Sequence, residues 1–196
     1  MIRVIAGQAG GRYLKSPRGL ATRPTASRVR ESIFSRLAAR IEFGGRSVLD
    51  LFAGSGALGI EALSRGAERA TFVDSSRAAA RVIAENLRTL DLSHRARVMC
   101  LDVFSAMARV RERRETFDLV FMDAPYGKEL TERTLQRLIE LKLLASDAWL
   151  AVELSSREAT PALSPIGKFL ESTIGDHRIA LYCFGPSNEA LAAAQR

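Results

Sequence analysis

Most of the chain consists of short apolar runs that alternate with amphipathic segments. The apolar runs have the length of buried strands and lie at 48–52, 70–74, 96–101, 119–122 and 149–154. The segments with helical spacing lie at 57–64, 77–90, 103–110 and 129–141. This alternation predicts an α/β protein with a parallel, doubly wound sheet and helices on both faces.

The start of the chain has a different pattern. Two short strand-like segments, 3–6 and 12–14, surround a glycine-rich turn, which predicts a hairpin. A helix then runs to about residue 40, and either Thr25 or Ser27 can cap it. The predicted apolar face of this helix consists of Val29, Ile33, Phe34 and Leu37.

The other end of the sheet domain also departs from the alternation. The strand patterns at 169–174 and 179–184 are joined by Gly175 and Asp176, which predicts an antiparallel hairpin. Two consecutive strands without a helix between them differ from a plain dinucleotide-binding fold. We therefore predict three parts: a basic N-terminal extension at 1–45, a catalytic domain at 46–185, and an alanine-rich tail at 186–196 that frays.

Positive charge is concentrated in the first quarter of the chain. Residues 1–46 contain ten Lys or Arg and two acids, a net charge of +8, whereas the remaining 19 basic and 20 acidic residues give −1. Nine of the ten are Arg, whose planar guanidinium suits phosphate binding and base stacking. This asymmetry predicts a polyanionic partner, and nucleic acid is favoured over a merely solvated basic surface.

Composition excludes several other classes. The chain has 47% hydrophobic and 26% charged residues, as in a soluble globular protein, and it contains no apolar run of about 18 residues. We therefore expect a cytoplasmic protein. Cys100 and Cys183 are isolated, so we expect two buried thiols and no metal site. His94 and His177 lie near predicted turns and are expected at the surface, while Trp149 is expected in the core.

A glycine-rich loop joins the first strand of the sheet to the following helix. Gly54, Gly56 and Gly59 satisfy the spacing GxGxxG, which occurs where a nucleotide approaches the backbone closely. Asp74 ends the next strand, where an acid that binds ribose hydroxyls is expected. Because strand, loop, helix, strand and acid follow in this order, we expect a nucleotide cofactor.

The acid within the first strand discriminates between nucleotide cofactors. A carboxylate at Asp50 would repel the pyrophosphate of a dinucleotide, but it would attract the sulfonium and ammonium groups of S-adenosylmethionine. A further acid, Asp102, follows the third strand and could accept a hydrogen bond from the adenine N6 amine. Capping of the next helix is an equally good interpretation of Asp102. The acids together favour S-adenosylmethionine.

The fourth strand stops at a carboxylate. Asp123 could accept hydrogen bonds from the exocyclic amine of a nucleobase, and Tyr126 could stack on the base. Between them, Pro125 fixes its own φ at about −65°. From these residues alone, a turn that merely ends the strand is an equally good interpretation.

Taken together, these residues resemble a known enzyme family. Asp50 to Glu61, Asp74, Asp102 and Asp123 to Tyr126 are similar in order and spacing to S-adenosylmethionine-dependent amino-methyltransferases with a (D/N)PP(Y/F) motif. Within that group, the chain resembles the RsmD-type bacterial enzymes, which methylate the N2 amine of a guanine in small-subunit ribosomal RNA. The segments that carry this resemblance are 10–12, 22–25, 28–31 and 49–59. The similarity extends to about residue 184.

One residue departs from the family pattern. Ala124 stands where the family usually has Pro. Because that Pro contributes chiefly a backbone carbonyl and rigidity, Ala124 can still supply the carbonyl. We therefore expect activity to be retained, with a more flexible loop.

The resemblance implies a Rossmann-like class I methyltransferase sheet and assigns the candidate site residues. The catalytic residues would be Asp123, Ala124, Pro125 and Tyr126. The cofactor-binding residues would be Asp50, Phe52, Ala53, Gly54, Gly56, Asp74, Ser75, Asp102 and Val103, with the ribose at Asp74 and the adenine at Asp102. The RNA-binding residues would be Arg12, Lys15, Arg23, Thr25, Arg28 and Arg30.

Other functions stay open at this point. The glycine spacing also allows a nicotinamide-dependent oxidoreductase, and the basic N-terminus also suits a non-catalytic RNA-binding assembly factor. Related motifs serve adenine N6 and DNA as well as guanine. For the favoured function we expect ribosomal RNA or the assembling small ribosomal subunit as the partner, no membrane, no metal, and a monomer.

Overall fold

The computed structural model describes residues 2–17, 24–125, 128–163 and 167–185. The strands are β1 (Ile2–Arg3), β2 (Tyr13–Leu14), β3 (Ser47–Leu51), β4 (Arg69–Asp74), β5 (Ala96–Cys100), β6 (Phe117–Asp123), β7 (Leu144–Ser155), β8 (Gly167–Ile174) and β9 (His177–Cys183). The α-helices are α1 (Pro24–Ala38), α2 (Ala57–Ser64), α3 (Arg77–Thr89), α4 (Val103–Glu112) and α5 (Lys128–Glu140). A single turn of 3-10 helix lies at Ser93–Arg95.

Seven strands form one sheet in the order β5, β4, β3, β6, β7, β9, β8. Strands β3 to β7 are parallel, whereas β9 is antiparallel to both β7 and β8. The predicted doubly wound sheet and its C-terminal antiparallel hairpin are therefore confirmed. The chain builds outward from β3 to β5 and then crosses to β6, so the strand order reverses between β3 and β6. Ligands bind at such a reversal in open α/β sheets.

The two faces of the sheet bury two hydrophobic clusters. Along β3, Val48 packs into one cluster and Leu49 and Leu51 into the other, as the two-residue period of a strand requires. The first cluster also contains residues of α1, α2 and α3, and the second contains residues of α4 and α5. Trp149 is buried, as predicted. In the described residues, no helix is long and apolar enough to span a membrane.

The N-terminal hairpin, formed by β1 and β2, is joined to α2 by buried polar groups. Both carboxylate oxygens of the fully buried Glu61 accept from backbone N–H groups, of Ile5 at 2.7 Å and Ala6 at 3.1 Å. The hydroxyl of Ser64 accepts from the N–H of Ala9 at 3.0 Å. Leaving these backbone donors unpaired would cost about 1 to 3 kcal/mol each. The described residues before position 46 thus contribute to the same core as the sheet, and the predicted division at residue 45 stays a prediction.

Helix α1 begins earlier than predicted. Its first residue is Pro24, a residue that suits the first helical position because its missing N–H would be unpaired there. Thr25 and Ser27 lie inside the helix, so neither caps it, and that expectation was wrong. The predicted apolar face is buried as expected, and the Phe34 ring lies 5.3 Å from the ring of Phe121 on β6.

Candidate active site

A cavity of about 690 Å³ opens at the carboxyl ends of the parallel strands. The wall is built from the ends of β3, β4, β6 and β7, the start of β9, and one side of α1. Four carboxylates line it, from Asp50, Asp74, Asp123 and Glu153. The predicted residues Phe52, Ala53, Gly54, Ser75, Ala124 and Pro125 also line it. The structure therefore brings most of the predicted cofactor and catalytic residues into one space.

The glycine-rich loop is held by Asp74. One oxygen of this carboxylate accepts from the N–H of Gly54 and the other from the N–H of Ser76, both at 2.8 Å. Gly54 and Gly56 have φ of 55° and 77°, in the left-handed region that favours glycine. Phe52 has φ of 59°, which is uncommon for an aromatic residue and concentrates backbone strain at the cavity wall.

Asp50 is a buried carboxyl at the base of the cavity. Its Oδ2 accepts from the N–H of Gly59 in the first turn of α2 at 2.9 Å. Burial raises the pKa of Asp50 to about 8, against the opposing effect of the Gly59 hydrogen bond, and the charges of Asp123 and Asp74 raise it further. A cation in the cavity would favour the ionised form of this carboxyl.

Replacing Asp50 by Asn should change how stability depends on pH. The folded protein binds the Asp50 proton more tightly than the unfolded chain, where the pKa is 3.8. The carboxyl therefore contributes stability below about pH 4, and this contribution is lost as the pH rises to about 8. Asn cannot ionise, so unliganded Asp50→Asn should exceed wild type in stability at pH 9 by at least about 1 kcal/mol, or roughly 2 to 4 °C in Tm. Thermal melts across this range, with Asp91→Asn at an exposed turn as control, check this. A Tm difference that is the same at every pH would contradict it.

Asp123 ends β6 and faces the cavity. The residue is exposed to solvent at the cavity wall. Loss of hydration raises the pKa of its carboxyl group above the ordinary range, and the charge of Glu153 raises this pKa further. The next residues, Ala124 and Pro125, continue the wall. Tyr126 lies outside the described residues.

Two residues that the sequence analysis did not assign to the site lie beside Asp123. Glu153 is the register partner of Asp123 on the neighbouring strand β7. His177 contacts Glu153, with Nδ1 2.6 Å from Oε1, and both line the cavity. The expectation that His177 is a surface residue was therefore wrong, whereas His94 is exposed as expected. An acid inside the apolar run 149–154 was the available sequence signal.

The two residues predicted to bind adenine, Asp102 and Val103, are not part of the cavity lining. Asp102 caps α4, and its Oδ1 accepts from the N–H groups of Phe104 and Ser105 at 3.1 and 3.0 Å. Asp102 and Val103 follow β5, the strand beside β4, but they are not among the residues that line the cavity. The capping interpretation is confirmed, and the adenine role stays a prediction.

The predicted RNA-binding residues are placed differently from one another. Arg12, Lys15 and Arg28 are exposed. Arg30 is only 7% exposed, lines the cavity, and donates to the carbonyl of Arg3 at 2.7 Å. Burial lowers the pKa of Arg30. The structure thus places Arg30 in the cavity wall, whereas Arg12, Lys15 and Arg28 lie on the surface, and the RNA-binding role of all four stays a prediction. Arg23 and the side chain of Thr25 lie outside the described residues.

The two cysteines differ in exposure, and the candidate metal ligands are not clustered in the described ranges. Cys183 is buried as expected, but Cys100 is exposed at the end of β5, so its expected burial was wrong. Within the described ranges, no three His, Cys, Asp or Glu side chains are grouped so that they could hold a metal ion.

Comparison with known proteins places the chain in a family. A family model described as "Conserved hypothetical protein 95" matches residues 2–183. The Ribosomal RNA small subunit methyltransferase D of Escherichia coli (strain K12) is 39% identical over 162 residues, which are 83% of this chain and 79% of that protein. The chain belongs to this family. The resemblance stated from the sequence is therefore confirmed.

Further family members agree in length and fold. The Bacillus subtilis (strain 168) protein YlbH, which is named as an rRNA methyltransferase, is 41% identical over 78% of this chain and 82% of its own length. A solved Escherichia coli structure named for the methyltransferase yhhF superposes with a TM-score of 0.82 at 34% identity. That superposition covers 94% of this chain and 98% of the other. The family match over residues 2–183 includes the N-terminal hairpin, the sheet and the C-terminal hairpin.

Proposed function

We propose that this protein transfers a methyl group from S-adenosylmethionine to the N2 amine of a guanine in small-subunit ribosomal RNA. The observation that carries this proposal is the position of Asp123 in the same cavity as the glycine-rich loop. The proposal rests also on membership of a family whose Escherichia coli member is named as a small-subunit rRNA methyltransferase.

The cavity suits a cationic cofactor. Four carboxylates line it, and in the described residues the cationic side chains among its walls are Arg30 and, when protonated, His177. This excess of negative charge favours a sulfonium and an ammonium group, and it disfavours a pyrophosphate. The cavity volume of about 690 Å³ lies within the range of small-molecule sites.

The loop also argues against a dinucleotide. In dinucleotide-binding folds, free N–H groups at the loop and helix N-terminus bind the pyrophosphate. Here the N–H of Gly54 is taken by Asp74 and the N–H of Gly59 by Asp50. Donors that would bind phosphate are thus used within the protein, which favours S-adenosylmethionine over a nicotinamide cofactor.

The chain would hold the cofactor between the glycine-rich loop and the end of β4. We assign the methionine part to Phe52, Gly54 and Asp50, and the ribose to Asp74, whose oxygens each keep a second lone pair for a hydroxyl. When bound, S-adenosylmethionine supplies an electrophilic methyl group on a sulfonium.

Asp123 and Ala124 would prepare the amine. The lone pair of guanine N2 is delocalised into the ring, so the amine is a poor nucleophile until that conjugation is relieved. The Asp123 carboxylate and the Ala124 carbonyl can accept its two hydrogens, orient the lone pair toward the methyl group and stabilise the developing positive charge. Tyr126 would stack on the base, a contact worth about 1 to 3 kcal/mol. The base must leave its stack to enter the cavity.

The N-terminal hairpin would contact the RNA. Arg12 and Lys15 are exposed on it, and Tyr13 between them is 59% exposed, which makes it the one exposed large hydrophobic residue of the described chain. Exposed cations beside an aromatic ring match the surfaces that bind unpaired nucleotides. A ribosomal RNA substrate also implies a cytoplasmic location.

Removing exposed N-terminal arginines should weaken RNA binding and its salt dependence. Each phosphate contact adds about 0.7 to 0.9 to the slope of log K against log salt concentration. The double variant Arg12→Ala and Arg28→Ala should therefore reduce the slope by about 1 to 2. Filter binding of small-subunit rRNA fragments at several salt concentrations measures this slope. Arg111→Ala is the matched control, because it is exposed at the end of α4 on the other face of the sheet. Equal slopes for the double variant and the control would refute this contact surface.

The proposed function is tested by comparing ribosomal RNA from cells with and without the gene. Nucleoside mass spectrometry should find one N2-methylguanosine lost from small-subunit RNA in the deletion strain and restored by the wild-type gene. Loss of a methyladenosine instead would assign the chemistry to another exocyclic amine. An unchanged modification pattern, with RNA binding retained, would favour a non-catalytic assembly factor.

A further inference from the structure

Glu153 and His177 form a close carboxyl–imidazole pair that has no role in the methyl transfer described above. The two side chains are 12% and 14% exposed, and His177 Nδ1 lies 2.6 Å from Glu153 Oε1. They come from β7 and from the start of β9, two antiparallel strands that meet at the same edge of the sheet as Asp123. Removing an acid and a base from water costs free energy. We therefore expect this pair to have a function in the cavity.

The pair continues directly from Asp123. Asp123 and Glu153 are partners in the register of the parallel strands β6 and β7, and neighbouring strands lie about 4.8 Å apart. Side chains of register partners point to the same face of the sheet, and here both line the cavity. His177 in turn follows Gly175 and Asp176, which are exposed. The three side chains thus extend from the cavity wall to a surface turn.

The reaction releases a proton inside this cavity. As the amine nitrogen forms its bond to the methyl carbon, the carbon–sulfur bond breaks and its electrons stay on sulfur. The nitrogen then carries an extra proton that must leave to give the neutral methylamino product. Asp123 is the carboxylate next to the amine in the proposed arrangement, and it must be ionised to accept that proton.

We propose that Glu153 and His177 are positioning residues for the methyl transfer: protonated His177 holds Asp123 ionised beforehand, and Glu153 together with His177 carries the proton of Asp123 to the protein surface afterwards. The inference rests on the proposed function. The proton passes from the amine nitrogen to the Asp123 carboxylate and then to Glu153. The His177 imidazolium gives its Nε2 proton to water, while its Nδ1 proton stays toward Glu153. Exchange through water then moves the proton of Glu153 to Nε2, so the pair returns to carboxylate and imidazolium and the net change is one proton released.

The charges around the pair support this division of roles. Glu153 adds negative charge beside Asp123 and thereby raises its pKa, whereas protonated His177 lowers it. Burial raises the pKa of Glu153 itself. Asp50 and Asp74 line the cavity from β3 and β4, and Arg30 lines it from α1. On the outer side, Arg178 forms an ion pair with Glu171 of β8, and Asp176 lies in the exposed turn.

Glu153→Gln and His177→Gln test the inference, with His94→Gln as control. The chain has two histidines. His94 is exposed in the turn before β5, at the end of the strand opposite to the carboxyl end. The assay is the single-turnover rate of methyl transfer to small subunits from cells that lack the gene. Each test variant should lose about 10- to 100-fold in rate, less than removal of the acceptor itself. Affinity for S-adenosylhomocysteine should change by less than about threefold, and His94→Gln should match wild type.

A titration of the unliganded protein separates this role from a merely structural one. In carbon-13 NMR of the carboxylates, the midpoint of Asp123 should move to lower pH in Glu153→Gln and to higher pH in His177→Gln. When the single-turnover rate is measured as a function of pH, the pH at which the rate falls on the acidic side should move in the same directions. If Glu153→Gln fails to fold, His177→Gln alone still tests the predicted upward shift.

The outcomes are distinguishable. Wild-type protein that transfers no methyl group contradicts the proposed function. Active wild type, together with variants that keep the wild-type rate and the wild-type Asp123 midpoint, overturns the role of the pair. Slower variants with an unmoved midpoint and profile would also overturn it, because a packing defect alone predicts that result.

Discussion

Asp123→Ala should abolish methyl transfer while the protein still binds its cofactor. Asp123 is the acceptor that relieves the conjugation of the amine and takes up developing charge, and losing such a group costs about 10²- to 10⁴-fold in rate. The carboxylates assigned to the cofactor, Asp50 and Asp74, keep their bonds to Gly59 and Gly54 in this variant. The affinity for S-adenosylhomocysteine by calorimetry should therefore change by less than about threefold.

The matched control for this variant is Asp176→Ala. Asp176 is an exposed acid at the same edge of the sheet, in the turn that precedes His177. It should leave the rate and the cofactor affinity unchanged. An Asp123→Ala protein that binds S-adenosylhomocysteine normally and retains more than about a tenth of the wild-type rate would refute the assignment of Asp123.

Gly59→Ala should lower both stability and cofactor affinity. A Cβ at Gly59 would lie 2.4 Å from Cε1 of the fully buried Phe72 and 3.1 Å from Asp50 Oδ2. Helix α2 must shift away from β4 to relieve this contact, at a cost of about 1 to 3 kcal/mol. The shift would also disturb the hydrogen bond that holds Asp50. We expect a fall in Tm of about 2 to 10 °C and a loss of cofactor affinity of about tenfold or more.

Gly44→Ala is the control for this effect. A Cβ at Gly44 would meet nothing within 4 Å, and its φ lies outside the left-handed region. The change should leave Tm and cofactor affinity close to wild type, so it corrects for the general effect of replacing glycine by alanine. Thermal melts and calorimetric titrations of both variants measure the difference. A Gly59→Ala protein that behaves like the control would show that α2 does not need this close approach.

The order of strands and helices could be predicted from the sequence because the spacing of apolar residues that distinguishes them is set by residues close together in the chain. The apolar runs at 48–52 and 119–122 became the buried parts of β3 and β6, and 57–64 coincides with α2. The glycine spacing was equally informative, since Gly54 and Gly56 adopt the left-handed conformations that the loop requires and Gly59 packs against the sheet. Element bounds were predicted less well: β7 begins at Leu144, before the predicted run at 149–154, and the first strand is Ile2–Arg3 where 3–6 was predicted. Pro24 begins α1 where a polar cap at Thr25 or Ser27 was expected.

The missed parts of the site depend on contacts between distant segments. Glu153 and His177 are 24 positions apart, and only the antiparallel pairing of β7 with β9 brings them together. Arg30 looked like one more cation in a basic segment, but the helical period turns it toward the cavity while Arg28 stays exposed. Neither spacing nor composition records which arginine of a charged segment will be buried. The one local signal for Glu153 is its position as a charged residue inside an otherwise apolar run.

The most direct test of the account is the identity of the atom that receives the methyl group. Purified protein would be incubated with S-adenosylmethionine labelled in the methyl group and with small subunits, or their naked RNA, from cells that lack the gene. The account predicts label in a single N2-methylguanosine with wild-type protein and none with Asp123→Ala. Label in adenine or cytosine, or no transfer to either substrate, would contradict it.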